Sequence, residues 1–336
     1  MERDDKHYYF IIRGEYTMTN TQEKNLLVEI SKEYYENGKT QAEIAKRFNM
    51  SRPMVSRKLA EAREIGIVKI FVDSSFDSMT DLERKLFSRF NLKGLCIASV
   101  PENDEALAVQ LTARAGARYL SKFIEPGDKI GVGWGWTLYE TSSYLQQLPV
   151  GTSLVCQVTG SVDNAMTRGY ANEIVNNFYQ KLSAREAYSL PCPVMVSDPH
   201  IAETLLNDPK INKVLSLGRE CNKLFVNIAL PDRKSCLYQA GYVDDSDLGH
   251  LREHQAVGSI CCRFFDKEGN VCDEELNQRT LGISIEEIKK ADCVMACITG
   301  KVKAEAVYYA LKANLINVLV IDSITAQAIL DLDEER

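Results

Sequence analysis

Short apolar runs that alternate with helical stretches dominate the chain after Leu95. The helical stretches include residues 104–123, 137–147, 170–182 and 303–313. The apolar runs are LCIASV, KIGVG, SLVCQV, KLFVNIAL, DCVMACI and VLVID. Each run has the length of a buried strand, and the connections are long enough for crossover helices. The alternation predicts an α/β domain with a Rossmann-like parallel sheet.

A glycine-rich segment, GVGWGWT, spans residues 131–137 and contains both tryptophans of the chain. It follows the predicted strand DKI and opens the predicted helix TLYETSSYL. Free backbone N–H groups and the positive end of a helix favour an anion at such a place. The context predicts a phosphate site to which Thr137 adds a hydroxyl. A tight strand-to-helix turn without a ligand is the alternative. The segment lacks the third-glycine spacing of GxGxxG, which disfavours a dinucleotide-binding dehydrogenase.

Three short helices precede the α/β pattern. An amphipathic helix begins at Thr21 and stops at Gly38. A second helix is predicted from Gln41 to Phe48, with Thr40 and Glu43 as a capping box. Ser51 is expected to cap a third helix that runs to about Ile65. Gly66 and the alternating segment IVKIFV follow. Three helices and a strand describe a winged helix-turn-helix, which binds DNA.

The spacing and charge of this module agree with that interpretation. Asn49 lies at the expected turn, where asparagine tolerates the left-handed conformation, while Val55 and Leu59 face the module's core. Between Lys39 and Lys69 eight basic residues stand against three acidic ones, so this segment is +5 in a chain whose net charge is −7. An ordinary helical hairpin with a solvated basic face is the alternative. The predicted DNA-binding residues are Gln41, Lys46, Arg47, Ser51, Arg52, Met54, Ser56, Arg57 and Lys58.

Over residues 25–332 the chain resembles the SorC family of bacterial transcriptional regulators. Five segments in order carry the resemblance: QAEIAKRF…SRPMVSRKLAEAREIGIVKI, IGVGWGWTLYE, HQAVGSICCRFFDKEG, LNQRTLGISIEEI and KAEAVYYALKANLINVLVID. The resemblance implies an N-terminal DNA-binding domain and an effector domain similar to sugar-phosphate isomerases such as glucosamine-6-phosphate deaminase. It also implies a phosphorylated sugar as effector and a homotetramer, a dimer of dimers, on palindromic operator DNA.

The resemblance also indicates which residues line the effector pocket. Trp136 stands where the family often has arginine, and Ser259 where it usually has aspartate, so the identity of the ligand is open: a sugar phosphate, a non-phosphorylated sugar or polyol, or an unusual phosphate ester. Thr159 and Gly160 end a predicted strand on the ligand side of the sheet. Each of two candidates has an alternative to a role in the pocket. An exposed hairpin turn explains Asp266 nearly as well, and Lys303 could be a solvated lysine at a helix terminus. The predicted effector residues are Gly133, Trp134, Gly135, Trp136, Thr137, Thr159, Gly160, Ser259, Asp266 and Lys303.

Other classes of protein are disfavoured. The ten cysteines show no zinc spacing and are expected to be buried thiols in a reducing cytosol. His250 and His254 are four residues apart, but no third metal ligand is evident. No apolar run approaches the ~18 residues of a membrane span, and no signal peptide is recognised. We expect a cytoplasmic protein without metal or cofactor.

The predicted organisation is a regulator of a carbohydrate-utilisation operon. It has an arm (1–20), a winged helix-turn-helix (21–73), a linker helix (74–94) that transmits the effector signal, and a sugar-binding and oligomerisation domain (95–336). The alternative is an enzyme of the isomerase or deaminase type with an accessory DNA-binding module. Acid–base chemistry needs a positioned histidine or carboxylate, and no motif surrounds the four histidines.

Overall fold

The computed structural model describes residues 21–68, 79–162 and 170–335. The chain divides into two compact units, Met1–Phe76 and Asp77–Arg336. The predicted arm and most of the predicted wing strand IVKIFV lie outside the described residues.

The described residues of the first unit form three helices. They are α1 (Thr21–Ser31), which continues as a turn of π-helix (Lys32–Glu36), α2 (Gln41–Arg47) and α3 (Arg52–Glu64). Their core is formed by Ile30, Ile44, Ala45, Val55 and Leu59. The predicted capping box of Thr40 and Glu43 is confirmed, as is the capping of α3 by Ser51. Asn49 is left-handed at φ 52°. The first helix differs from the prediction, because its last turn widens to a π-helix.

The second unit begins with a short helix and then alternates strands and helices. Its first half contains α4 (Asp81–Arg89), β1 (Gly94–Ala98), α5 (Glu105–Leu120), β2 (Lys129–Val132), α6 (Trp136–Tyr144), β3 (Leu154–Gln157), α7 (Ala171–Leu182) and β4 (Glu186–Tyr188). Its second half contains α8 (Pro199–Leu206), α9 (Pro209–Arg219), β5 (Lys223–Val226), β6 (Ile228–Ala229), α10 (Cys236–Gln239), α11 (Asp245–Glu253), β7 (Gly258–Ile260), β8 (Arg263–Phe265), α12 (Glu274–Arg279), α13 (Ile285–Lys290), β9 (Cys293–Ile298), α14 (Ala304–Lys312), β10 (Val318–Asp322) and α15 (Ser323–Glu334).

Seven strands form a parallel sheet in the order β1-β10-β9-β5-β2-β3-β4. The predicted α/β class is therefore confirmed. Successive residues of a strand enter opposite cores: Leu319 and Ile321 of β10 pack on one face, while Val318 and Val320 pack on the other. The chain moves from β2 to β3 and β4, then returns to β5 on the other side of β2. The carboxyl ends of β2 and β5 therefore flank the switch point where such sheets bind ligands.

A small antiparallel sheet, β6-β7-β8, stands beside the main sheet. A two-residue turn joins β7 to β8, and its Cys261 and Cys262 have φ values of 48° and 64°. The side chain of Arg263 is buried at the start of β8. It donates hydrogen bonds to the backbone oxygens of Asn277, Thr280, Gly282 and Ile283. The arginine thus ties the CCRFF hairpin to the segment NQRTLGISI.

The predicted burial of the cysteines is confirmed for six of the ten. All ten are free thiols, and Cys96, Cys236, Cys262 and Cys272 are half-buried. Burial raises the pKa of the Cys297 thiol to about 12, so this group stays protonated at neutral pH.

Candidate functional site

A cleft of about 470 Å³ lies at the carboxyl edge of the parallel sheet. Its walls come from the segments that follow five strands. They include Pro101 after β1, Gly135 after β2, Asn227 after β5, Thr299 after β9 and Asp322 at the end of β10. The cleft therefore occupies the position at which parallel α/β sheets bind ligands.

The glycine-rich segment forms one wall. The N–H of Gly133 donates to the oxygen of Phe225 at 2.8 Å, which fixes the segment beside β5. Gly135 has φ 143°, and a Cβ atom on it would lie 2.7 Å from Nδ2 of Asn227. Only glycine fits this approach without strain. Gly135 is also the N-cap of α6, and no side chain caps this helix end. The positive end of α6 therefore favours an anion at this side of the cleft.

Lys303 forms the opposite wall. A turn of 3₁₀-helix, Lys301–Lys303, leads from β9 into α14. Burial lowers the pKa of the Lys303 ammonium below its ordinary value. Among the described residues none accepts a hydrogen bond from this ammonium or forms an ion pair with it, although Asp232 and Asp322 attract it from farther away. A desolvated cation without a partner is costly unless a ligand neutralises it.

Asp322 holds the third side of the cleft in place. Its carboxylate accepts hydrogen bonds from the N–H of Gly300 at 3.1 Å and from the N–H and hydroxyl of Thr325 at 2.8 and 2.6 Å. These bonds fix the turn before Lys303 to the start of α15. We assign Asp322 to positioning this turn, because its oxygens are occupied by the protein itself.

Four of the ten predicted effector residues line this cleft: Gly135, Trp136, Thr137 and Lys303. Gly133 supports the loop through its backbone. The other five predicted effector residues lie outside the cleft walls.

Trp134 is a core residue. Its indole is buried, and Nε1 donates to the oxygen of Gly160 at 2.7 Å. Thr159 pairs with Gly282 as a β-bridge. Gly160 packs so closely on Pro193 that a Cβ atom would lie 2.2 Å from the proline oxygen.

The remaining two predicted residues lie in the small antiparallel sheet and its turn. Ser259 is buried in β7, paired with Ala229. Asp266 accepts hydrogen bonds from the N–H groups of Glu268 and Asn270, and so stabilises its own hairpin turn. That turn is the alternative that the sequence left open for Asp266.

Several polar residues that line the cleft were not among the predicted effector residues. Asn227 is the most informative, because its side-chain amide has no hydrogen-bond partner within the described residues. It follows the run KLFV directly, so its place after a buried strand was the available signal. The other charged residues of the cleft wall are Glu102, Asp104, Glu105, Asp232, Lys234 and Lys301.

Three aromatic rings stand at the glycine segment. Trp136 lies 5.8 Å from Tyr139 with an interplanar angle of 29°, and Tyr139 stacks on Tyr170 at 4.1 Å and 20°. Trp136 lines the cleft and keeps 37% of its surface exposed. We call Trp136, Tyr139 and Tyr170 the aromatic stack.

In the first unit the predicted DNA-binding side chains differ in their internal contacts. Arg47 pairs with Glu33 at 2.8 Å. Lys58 pairs with Glu23 and Glu61 at 2.8 and 3.0 Å, which ties α3 to α1. Arg52 and Arg57 are exposed and form no ion pair with any described residue.

The other predicted positions surround these two arginines on α2 and α3. Lys46 and Ser56 are exposed, Gln41 is half-buried, and Ser51 caps α3 by accepting from the N–H of Met54. Met54 itself is 49% exposed. The start of α3 therefore presents two unpaired guanidinium groups and an apolar side chain.

Among the described residues, no three His, Cys, Asp or Glu side chains converge on a possible metal site. The described helices include none that is long and apolar enough to cross a membrane.

Residues 74–331 match the family model described as "Putative sugar-binding domain". The chain is 29% identical over 310 residues to the deoxyribonucleoside regulator of Bacillus subtilis (strain 168), covering 92% of this chain and 98% of that protein. It is 31% identical over 304 residues to the uncharacterized transcriptional regulator YjhU of Escherichia coli (strain K12), covering 88% and 92%. The crystal structure of the full-length sorbitol operon regulator SorC from Klebsiella pneumoniae superposes with a TM-score of 0.71 at 26% identity, covering 93% and 100%.

Proposed function

The chain belongs to the SorC family of transcriptional regulators with a sugar-binding domain, and from this premise we propose that it binds operator DNA under the control of a phosphorylated sugar. The relatives are named as regulators of deoxyribonucleoside and sorbitol systems, so the regulated genes are those of carbohydrate utilisation.

The observation that carries the proposal is the pairing of Lys303 with the start of α6. A half-buried, desolvated ammonium that forms no ion pair with a described residue and a helix end without a capping side chain line the same cleft. A phosphate group would neutralise the first and accept hydrogen bonds from the second. Asn227 supplies an amide that both donates to and accepts from a sugar hydroxyl.

The charge of the cleft favours one phosphate and not two. Its wall carries five carboxylates (Glu102, Asp104, Glu105, Asp232 and Asp322) and three lysines (Lys234, Lys301 and Lys303). A second phosphate would face the carboxylates and be repelled. Carboxylate oxygens accept hydrogen bonds from sugar hydroxyls, so the proposed effector is a polyhydroxylated monophosphate.

The cleft supports a regulator and not an enzyme of the isomerase type. Its described walls contain no histidine, and the Asp322 carboxylate is occupied by the protein's own N–H and hydroxyl groups. The named relatives are regulators of transcription. We therefore expect a bound sugar to be held without being converted.

DNA binding is assigned to α2 and α3. Arg52 and Arg57 are placed to contact phosphates or guanine edges, and Met54 a thymine methyl group, because the start of a recognition helix faces the major groove. The homotetramer, arranged as a dimer of dimers, belongs to the same proposal, since two pairs of modules match a palindromic operator.

A thermal-shift screen of sugars against their monophosphates tests the proposal. Ligand that binds the folded state raises the melting temperature by mass action. We expect a monophosphate to raise it and the parent sugar to have a much smaller effect. The same compound should change the affinity for the operator fragment in a gel-shift titration. Stabilisation by nicotinamide dinucleotides alone would refute the proposed effector.

A further inference from the structure

The aromatic stack adds a feature that the phosphate contacts do not use. Trp136 is the first residue of α6, adjacent to the N–H groups assigned to the phosphate. More than a third of its surface is exposed although it lines a cleft. A large apolar surface exposed inside a cleft with convergent polar groups is typical of a ligand contact.

The stack is ordered before any ligand arrives. Tyr139 lies one helical turn after Trp136 and stacks against its indole, and Tyr170 stacks on Tyr139 from the start of α7. Trp136 also lies 5.9 Å from Tyr170. Rings held by one another lose little side-chain entropy when a ligand binds.

We propose that Trp136 stacks on the ring of the effector, so that the cleft selects cyclic sugar monophosphates over their open-chain polyol counterparts. This inference rests on the proposed function, because it places the ring relative to the phosphate at α6. A furanose or pyranose presents a rigid face of C–H groups to the indole. An open-chain polyol phosphate has the same charge but must freeze several torsions to present a comparable face.

The position of the stack fixes the geometry of the ligand. Trp136 lies next to the proposed phosphate position, whereas Asn227 approaches the same loop at Gly135. A ring linked to its phosphate by a short ester therefore contacts Trp136 with one face and Asn227 with a hydroxyl. A bulky group on the face that meets the indole would be excluded.

Isothermal titration calorimetry with matched pairs tests the selection. Each pentose or hexose monophosphate is compared with the alditol monophosphate made by its reduction, on wild type, Trp136→Phe and Trp136→Ala. For the best ligand we expect the cyclic form to bind at least about tenfold more tightly than its alditol, which corresponds to about 1.4 kcal/mol. Trp136→Ala should remove most of this difference, while Trp136→Phe keeps most of it.

Two controls separate the possible failures. Tyr35→Ala removes an aromatic ring that is 40% exposed in the first unit, and should leave both affinities unchanged. Equal binding of the cyclic and alditol phosphates, or equal weakening of both by Trp136→Ala, would overturn ring stacking and leave the sugar-phosphate function standing. Binding of no monophosphate to wild type would overturn the function and the stacking with it.

Discussion

Lys303 is the residue on which the proposed effector site depends most. Desolvation of its ammonium opposes folding, because the lost hydration outweighs the attraction of Asp232 and Asp322. A site of this kind lowers the stability of the unbound protein and raises its affinity for a ligand. We expect an anionic ligand to compensate for the lost hydration, so that the desolvation that destabilises the unbound protein strengthens the bound complex.

Lys303→Met is expected to raise the melting temperature of the ligand-free protein and to abolish stabilisation by the effector. Removal of an unpaired buried charge should contribute about 1–3 kcal/mol, which is several degrees for a domain of this size. Differential scanning calorimetry measures both effects. Lys210→Met, at an exposed position in α9 outside the cleft wall, should change neither. A destabilised Lys303→Met variant would show that the ammonium has a protein partner.

The pH dependence of this effect has a definite sign. The pKa of Lys303 is lowered in the folded state, so between that value and its ordinary value of 10.5 the unfolded chain holds more protons. The contribution of this group to the free energy of unfolding therefore rises with pH across this window. Its destabilising effect is largest below the window, where the ammonium is charged in both states. The advantage of Lys303→Met should shrink as the pH increases through the window, and effector affinity of the wild type should fall.

The two tryptophans are predicted to report differently on the effector. Trp134 is buried with its Nε1 bonded to the oxygen of Gly160, whereas Trp136 lines the cleft. A saturating effector should change the emission of wild type and Trp134→Phe, and leave that of Trp136→Phe nearly constant. Trp134→Phe should in addition cost about 1–3 kcal/mol of stability, because it leaves a buried oxygen unpaired. A response that persists in Trp136→Phe would place the reporter elsewhere.

At the scale of the elements, α3 separates two kinds of basic residue. Arg57 is exposed without an ion pair among the described residues, whereas Lys58 is engaged with Glu23 and Glu61. We expect the first to contact DNA, whereas the second holds α3 against α1.

Arg57→Ala should weaken operator binding by about tenfold or more. It should also reduce the slope of log affinity against log salt concentration by about one, the value for one phosphate contact. Fluorescence anisotropy at several salt concentrations measures both quantities. Arg63→Ala removes the same charge from the last turn of α3 and should have a much smaller effect. Equal losses in the two variants would mean that α3 contributes only its overall charge.

Helix α15 connects the cleft to α4. It begins beside Asp322 and Ile324 in the cleft wall, and near its end Asp333 pairs with Arg89 of α4 at 2.8 Å. Leu86 buries α4 against the same body. A 12-residue helix spans about 18 Å, so α15 is a rigid connection between the cleft and α4.

Arg89→Met is therefore expected to reduce the change in operator affinity that the effector causes, with effector affinity preserved. Coupling is the ratio of operator dissociation constants with and without effector. Arg84→Met provides the control, because Arg84 pairs with Asp81 inside α4. Unchanged coupling in Arg89→Met would assign transmission to another route.

At the scale of the whole molecule, the charge distribution agrees with a regulator. The basic segment 39–69 belongs to a chain of net charge −7, so attraction to DNA is confined to the first unit while the body repels it. A ligand can change DNA binding only by favouring one arrangement of the protein over another.

Sedimentation velocity is expected to give a species of four times the 37.8 kDa chain mass, with a dimer as its dissociation product. Two pairs of DNA-binding modules explain this assembly on a palindromic operator. The measurement is made with and without the effector that the thermal screen identifies. A monomer at micromolar concentration would contradict the proposed tetramer.

The sequence by itself determined the elements and the class of protein. Short apolar runs, capping residues such as Thr40 and Ser51, and Asn49 at its left-handed turn are local signals, because each depends on neighbours within a few residues. The family segments, in their order, then predicted an effector domain and indicated Lys303 and the GVGWGWT loop as parts of its pocket.

The tertiary structure alone decided which predicted residues share one cleft. Residues far apart in the chain meet only after the strand order is known, since β2, β5, β9 and β10 bring Gly135, Asn227, Thr299 and Asp322 to one edge. The same packing directed Trp134 into the core and Trp136 into the cleft. It also placed Ser259 in a separate sheet and left Asp266 to its own turn. Such outcomes depend on long-range pairing and close packing, which no local pattern encodes.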